Sequence, residues 1–372
     1  MSENAMKILL SEDDMFQNSN VCIQDLLHKT KSKIDTKRAR WDAMKRAANP
    51  YEAVSQHNMI ELEGSRPVSR SFFKMWEMLH EFPELKGMLN GRVACVAEGP
   101  GGFVQAILRA KPCHVDVVTL VSRQSPCMRV YDSNVAEHTI DGTGDVCKLV
   151  VARGFVNVSR GASLFTADGG FDMNGRFDEQ ESLSLPLIEA EVCIGITTLM
   201  TGGCMVIKFY DVFVDGTKAL IEWMYGSFEQ VYIYKPCTSR PANSERYVVC
   251  LKKRDTQIVR DIHAFVMENG SRPQYRSSKL TTVLNNINCI LGKRQLRSIN
   301  RSLSMAPIVD EKENVLHVLQ WCQKYNMKIN KNAILHLKHD LKRPDQHTSC
   351  VIRQTSPKGR TEDAGHYRAK RP

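Results

Sequence analysis

Through the middle of the chain, short apolar runs alternate with stretches of helical periodicity. The runs are "VACVA" (93–97), "VDVVTLV" (115–121), "SLFTA" (163–167), "CMVIKFY" (204–210), "QVYIY" (230–234) and "RYVVCL" (246–251). Each is long enough for a buried strand and too short for a buried helix. Helical stretches separate them around 103–110, 181–200 and 216–227. Ahead of the first run, "SRPVSRSFFKMWEMLHEF" sets Phe72, Phe73, Trp76, Leu79 and Phe82 at near-helical spacing, the stripe of a buried helix. The alternation predicts an α/β fold: a mostly parallel sheet with helices on both faces and its ligand at the carboxyl ends of the strands. Only the short loop "KPCTSRPANSE" parts the last two runs, so they are expected to pair antiparallel at the sheet edge.

On either side the texture changes. Residues 1–65 are polar and helical in pattern, with a break at Asn49-Pro50 and no strand signal. The α/β region spans 66–253. Residues 254–343 again predict helices, among them the amphipathic "NVLHVLQWCQKY" (314–325). The tail, 344–372, is polar and basic and is expected to be disordered. No internal repeat is visible.

Charge adds to this picture because it is uneven. The chain carries a formal net charge of +10. Residues 29–46 hold a net +6 and residues 341–372 a net +5, so the rest is close to neutral. Basic flanks around a neutral core suit nucleic-acid phosphates better than a uniformly charged surface would. Lys293, Arg297 and Arg301 recur every four residues and would form one basic stripe on a helix, a second candidate for a nucleic-acid backbone. Twelve cysteines occur, but none in a C-x-x-C pair, which points to free thiols in a reducing compartment and away from a zinc ribbon or disulfide framework. No signal peptide and no membrane span of about 20 apolar residues is evident, so an intracellular protein is expected.

The chemistry is expected at the strand ends. The first apolar run turns through Glu98-Gly99-Pro100-Gly101-Gly102-Phe103 into a helix. Such a corner usually cradles phosphate, but here the spacing is not G-x-G-x-x-G and a carboxylate opens the turn. A cationic ligand, or one offering a ribose hydroxyl, suits it better. Asp168 follows the "SLFTA" run, Lys208 interrupts "CMVIKFY", Glu245 precedes the last run and Lys74 sits on the helix before the first. Singly, each has an ordinary structural reading: a turn cap, a snorkelling strand end, a hairpin residue, a wet helix face. Jointly they converge on the ligand crevice. Two lysines and two carboxylates there can deprotonate a weakly acidic hydroxyl if a second cation lowers one lysine's pKa. With no metal cluster expected, the electrophile must already be activated, and a sulfonium methyl group fits.

The order Lys74, Glu98-Gly99-Pro100-Gly101-Gly102-Phe103, Asp168, Lys208, Glu245 resembles the FtsJ/RrmJ-like RNA ribose 2′-O-methyltransferases with their K-D-K-E tetrad. The motifs are "SRSFFKMWE" (69–77), "AEGPGGF" (97–103), "DGTGDV" (141–146), "TADGGFD" (166–172), "GGCMVIKFYD" (202–211) and "KPCTSRPANSERYVV" (235–249). Within that family, "DGTGDV" followed by "DGGFD" looks like the cap-specific mRNA enzymes of eukaryotes and large DNA viruses. The resemblance implies a Rossmann-like sheet, S-adenosyl-L-methionine as donor and the ribose 2′-OH of capped mRNA as acceptor. Lys208 would then activate the hydroxyl, with Asp168, Lys74 and Glu245 orienting and tuning it. The corner residues Glu98 to Phe103 together with Asp168 would hold the donor, and Asp145 would meet its adenine edge.

One departure concerns the second strand, which ends "TLVSRQSP" with no carboxylate for the donor ribose. The cap pocket is not legible; Trp41, Trp76, Tyr131 and Phe213 are aromatic candidates, each also a candidate for the core. Capping or transcription subunits are expected partners, no membrane is, and the location would be cytoplasm or nucleus, or a virion or host cytoplasm. Competing readings are a ribosomal- or transfer-RNA 2′-O-methyltransferase and a non-catalytic RNA-binding scaffold.

Overall fold

The computed structural model describes residues 6–9, 23–55, 59–61, 66–122, 127–170, 179–274, 276–304 and 311–330. The tail from 344, and Arg123 and Asp172 of the motifs above, lie outside them. The chain begins with strand β1 (Met6–Leu9) and helices α1 (Ile23–Asp35) and α2 (Arg38–Ala47), then α3 (Ser71–Glu81) and α4 (Pro83–Met88). The central alternation follows: β2 (Val93–Val96), α5 (Gly102–Ala110), β3 (Val115–Val118), β4 (Val135–Glu137), α6 (Leu149–Ser159), β5 (Ala162–Ala167), α7 (Gln180–Thr198) and β6 (Leu199–Phe209). After α8 (Asp215–Ser227) come β7 (Phe228–Lys235) and β8 (Arg246–Lys253), then α9 (Gln257–Met267), α10 (Ser278–Ser304) and α11 (Glu311–Lys324).

The strands form one sheet in the order β1-β7-β8-β6-β5-β2-β3-β4. From β6 to β4 every pairing is parallel, whereas β8 runs antiparallel to both β6 and β7. The chain winds outward from β2 in one direction and returns through β5 in the other. The point where the order reverses, between β2 and β5, is where such sheets bind ligands.

Two expectations need correction. The antiparallel pair β7–β8 is present but is not the edge, and the first 65 residues do contain a strand. Met6 to Leu9 pair antiparallel with Tyr232 to Lys235 and cover the β7 edge. Four residues are too short for a legible alternation. What marks β1 is tertiary: Lys7 Nζ lies 4.0 Å from the Phe82 ring centroid and 4.9 Å from that of Tyr232. Strand β3 also stops at Val118, leaving Leu120 and Val121 as exposed apolar residues past its end. The short β4 and helix α6 were not anticipated.

Side chains alternate across a strand, and this parity decides what faces the site. Ile207 and Phe209 join Phe165, Val248 and Cys250 in the core closed by α6 to α10. Lys208, between them, points to the other face, as does its register partner Tyr247. That other face is covered by α3, whose stripe is buried as its spacing predicts: Phe72, Phe73, Trp76, Leu79 and Phe82 are all under 9% exposed. The ten described cysteines are free thiols, seven of them buried.

Glu77 ties α3 to its surroundings. It is fully buried and accepts hydrogen bonds from Cys237 N (2.8 Å), Thr238 N (2.9 Å), Thr238 Oγ1 (2.5 Å) and Trp321 Nε1 (3.0 Å). One carboxyl group thereby holds the loop between β7 and β8, and helix α11, against α3. Removing it leaves two backbone N–H groups and an indole N–H buried without an acceptor, each costing about 1–3 kcal/mol. Glu77→Ala is therefore expected to lower the unfolding free energy by ~3 kcal/mol or more in urea titrations. A change below ~0.5 kcal/mol would mean that the loop and α11 are held by other contacts.

Candidate active site

The four residues of the expected tetrad come together because β8 is antiparallel. Asp168 leaves the carboxyl end of β5, and Lys208 stands one residue before the carboxyl end of β6. An antiparallel neighbour of β6 begins where β6 ends, so Lys208 pairs with Tyr247 and Phe209 with Arg246. Glu245 thus arrives beside Lys208 from the loop preceding β8. Lys74 reaches the same place from α3, one turn before Glu77.

Two ion pairs result. Lys208 Nζ lies 3.2 Å from Asp168 Oδ1 and donates to the Asp168 carbonyl at 2.6 Å. Lys74 Nζ lies 2.8 Å from Glu245 Oε1. Tyr247 donates its hydroxyl to Asp168 Oδ1 at 2.9 Å, and Ser239 donates to Glu245 Oε1 at 2.8 Å. All four charged side chains are 9–14% exposed, enough to touch a ligand but largely shielded from water.

The expected lowering of the Lys208 pKa is not found. Burial would lower it, but Asp168, Tyr210 and Glu245 outweigh burial and hold it above the ordinary lysine value. The reason is distance: the groups nearest Lys208 are oxygens, while the second lysine is already paired with Glu245. Burial would raise the Glu245 pKa, yet Lys74, Lys208 and Lys235 hold it far below the usual carboxylate range. Without ligand, Lys208 is an ammonium and Glu245 a carboxylate.

The glycine corner is built differently from its electrostatic reading. Glu98 is 2% exposed and accepts from Thr166 Oγ1 at 3.1 Å. Burial, then the Asp168 charge, push its pKa well up, so it does not present the negative charge expected of it. Gly99 N donates to Thr119 Oγ1 at 3.1 Å, which holds the corner against the end of β3. Gly101 has φ +103, a backbone region that favours glycine. At Gly102 a Cβ would lie 2.3 Å or less from the Ser69 and Ser71 hydroxyls and 2.9 Å from Phe72 N, so this glycine lets α3 and α5 approach. Phe103 is fully buried, its ring 5.7 Å from that of Tyr247.

Asp145 lies beside this corner. Val121 N donates to the Thr143 carbonyl at 2.8 Å, and a Cβ at Gly144 would strike the Thr119 carbonyl, so the 141–146 turn is docked on the end of β3. Asp145 Oδ1 accepts from Cys147 N at 3.1 Å. Exposed Leu120 and Val121, half-buried Asp145 and half-buried Gly99 and Pro100 lie together at the carboxyl ends of β2 and β3, tied by the Gly99–Thr119 and Val121–Thr143 hydrogen bonds. An apolar face beside a hydrogen-bonding carboxylate and open backbone fits a purine nucleoside, so these residues suit S-adenosyl-L-methionine.

Beside Glu245 a cavity of about 190 Å³ is lined by Tyr210, Gln180, Lys31, Trp41 and Lys45. The basic flank 29–46 therefore reaches the site, with Lys31 paired to Asp211 at 3.0 Å. Of the four aromatic candidates, Trp41 lines this cavity while also packing with Ile34, Ala242 and Ile299. Trp76 is committed to the core, its Nε1 donating to the Tyr325 carbonyl at 2.9 Å. Tyr131 is 92% exposed, next to a different cavity of about 420 Å³ with Arg109 and Arg129. Phe213 is half-buried. Lys293, Arg297 and Arg301 are exposed on α10.

Sequence reasoning missed several supporting groups. Glu52 pairs with Arg70 (3.1 Å) and Arg240 (2.5 Å), and Arg70 Nη2 also donates to the Thr238 carbonyl at 3.0 Å, which fastens the loop that ends in Glu245. Glu191, on α7, is fully buried, and both carboxyl oxygens lack a hydrogen-bond partner among the described residues. A Cβ at Gly169 would lie 2.2 Å from Glu191 Oε1, so the glycine after Asp168 makes room for it. A charged residue within the apolar stretch of α7 was the available signal.

Residues 67–253 match the family model described as FtsJ-like methyltransferase. The chain is 32% identical over 268 residues to the cap-specific mRNA (nucleoside-2'-O-)-methyltransferase 1 of Ailuropoda melanoleuca, covering 62% of this chain and 31% of that protein. It is 30% identical over 281 residues to the Homo sapiens protein of the same name, covering 66% and 32%. To the cap-specific mRNA (nucleoside-2'-O-)-methyltransferase 2 of Danio rerio it is 30% identical over 227 residues, covering 54% and 30%. The chain spans about a third of the length of these curated relatives.

The buried Glu191 gives a test of the site's electrostatics. Burial pushes its pKa from 4.5 up to about 8, against the pull of Lys208. Because the folded value is the higher one, its contribution to stability is complete below the unfolded value and is lost as pH rises towards 8. Wild-type stability in urea should therefore fall relative to Glu191→Gln between pH 4.5 and 8. Parallel pH curves for the two proteins would show that Glu191 ionises freely where it stands.

Proposed function

Because the chain belongs to the FtsJ-like methyltransferase family, we propose that it transfers a methyl group to the ribose 2′-OH of RNA, on the cap-proximal nucleotide of mRNA. The observation that carries this reading is the pair of shielded lysine–carboxylate contacts, Lys208–Asp168 and Lys74–Glu245, meeting at the carboxyl edge of β5 and β6. The names of the relatives supply the cap-proximal specificity, and the basic flank reaching the cavity beside Glu245 supports RNA as the acceptor.

S-adenosyl-L-methionine, when bound, supplies an electrophilic methyl group on a positively charged sulfur. The backbone of Gly99 to Gly102 and the Asp145 carboxylate hold it, with Glu98, Pro100, Phe103 and Asp168 shaping the walls. Lys208 faces the acceptor. Its ammonium must first give up a proton; the neutral amine then takes the hydroxyl proton as the oxygen bonds to the methyl carbon. The chemistry the donor would supply is a methyl carbon whose bonding pair to sulfur is released to sulfur, which neutralises its charge. Asp168 aims Lys208, while Lys74 and Glu245 hold the ribose. The donor's positive charge, when it is bound, would oppose the carboxylates that keep Lys208 charged and so ease its deprotonation. Holding oxygen, carbon and sulfur in line is the larger contribution, worth up to about 7–11 kcal/mol in well-aligned systems.

The test is methyl transfer from labelled donor to matched capped and uncapped RNAs. Label is expected in the ribose of capped RNA, and Lys208→Ala is expected to lower transfer by ~10²–10⁴ while donor binding persists. Equal labelling of both RNAs would replace the cap reading by a ribosomal- or transfer-RNA one. Donor binding without transfer to any RNA would favour the scaffold.

Since the Lys208 pKa is raised, only a small fraction is neutral near pH 7. The logarithm of kcat/KM should therefore climb with pH through the neutral range towards the ordinary lysine value, ~10.4, without a plateau. A flat profile between pH 6 and 9 would remove Lys208 from the general-base role.

A further inference from the structure

A further cavity, of about 420 Å³, opens between α10 and the loop that carries Glu245. Lys235, Arg246, Arg294, Arg297 and Arg301 line it, and among the described residues no carboxylate does. Arg294, Arg297 and Arg301 are exposed, and none has an ion-pair partner among the described residues. Lys293, on the same helix, is exposed outside the cavity. Arg294, Arg297 and Arg301, gathered without an ion-pair partner, repel one another, and a bound anion relieves that repulsion.

Arg246 shows that the cavity is built and not merely charged. It is 3% exposed, and it donates from Nη2 to Asp211 Oδ1 at 2.9 Å and from Nε to the Ser244 carbonyl at 3.1 Å. Its Nη1 has no hydrogen-bond partner among the described residues. Buried guanidinium donors are ordinarily satisfied, so an unused one on a residue that lines the cavity calls for an acceptor. Half-buried Lys235 donates to the Asn243 carbonyl at 2.9 Å and the Glu245 carbonyl at 2.5 Å. Burial, opposed by Glu245 and reinforced by Arg246 and Lys74, draws its pKa down to about 7, the response of a cation short of counter-charge.

The cavity adjoins the active site. It shares Asn243, Ser244 and Gln295 with the smaller cavity that ends on Tyr210 and Glu245. Asn243 to Glu245 is two residues, at most ~7 Å of extended chain. We infer that this cavity holds one phosphodiester of the RNA strand, gripped by Arg246, Arg297 and Arg301, so that a nearby ribose reaches Lys208. This rests on the proposed reading of the site as an RNA 2′-O-methyltransferase. Helix α10 thereby belongs to the substrate site, although it lies outside the matched residues 67–253.

The experiment uses the full chain and short 5′-labelled RNAs, each with a single linkage replaced by an uncharged methylphosphonate, and reads binding by fluorescence anisotropy. Wild type should lose affinity most at one linkage close to the acceptor nucleotide. Arg297→Ala with Arg301→Ala should weaken binding of unmodified RNA roughly tenfold and lower the salt slope by about 0.7 for each phosphate no longer neutralised. That double variant should also cease to distinguish the sensitive linkage, whereas Lys293→Ala should still distinguish it. An unchanged unfolding midpoint for the double variant would exclude misfolding, since both arginines are exposed. If the double variant keeps the same sensitive linkage, or wild type shows none, the inference is overturned. Methyl transfer is read in parallel. Linkage-specific binding without transfer would overturn the proposed function and leave the cavity assignment standing; unaltered binding by an active double variant would do the reverse.

Discussion

The arrangement of the site depends on one constraint: the antiparallel register of β8 against β6. Along the parallel strands, loops at the carboxyl edge come only from strand ends, as Asp168 does. A strand entering in the opposite sense brings its preceding loop to that same edge. The Lys208–Tyr247 pairing then sets three things at once: Tyr247 behind Asp168, Arg246 beside Asp211, and Glu245 within reach of Lys74. A one-residue slip would turn Tyr247 and Arg246 to opposite faces and dismantle all three.

Around that register the charges are organised by unequal burial. Glu98 and Glu191 are buried so deeply that both favour the neutral form, while Glu245, surrounded by lysines, favours the charged one. Lys208 consequently sits among several carboxyl groups of which only some carry charge. This restrains the field at its ammonium: more ionised neighbours would lock the proton on, and fewer would let burial expel it.

Much of the sheet was legible because buried parallel strands read as uninterrupted apolar runs, and each run quoted from 93 to 251 falls on an observed strand. The tetrad positions were legible because charged residues stand out in such runs and at their ends. What escaped was set by tertiary contact. The four residues of β1 carry too little pattern, and their pairing with β7 depends on Lys7 lying over Phe82, far away in sequence. The sign of the Lys208 shift escaped because spacing says which charges are near but not which pair first; Glu245 had already taken Lys74. Glu77 gave a weak signal, since an acidic residue in an amphipathic helix is ordinarily solvated, whereas Glu191 stood out only as a charge in the apolar stretch of α7.

The carboxyl group of Glu77 receives the indole N–H of Trp321, and Trp321 lies well beyond residue 253, where the match to the family ends. The helix that supplies Lys74 is therefore completed by a residue from outside the family module. Cutting the chain at the module's limits would uncover Phe73, against which Trp321 packs edge-on, and would leave a carboxyl group without its indole donor in an apolar wall. Helix α11 is thus not cargo appended to a self-sufficient family module. It is a wall of the same building, and a fragment chosen by sequence similarity alone would be a ruin.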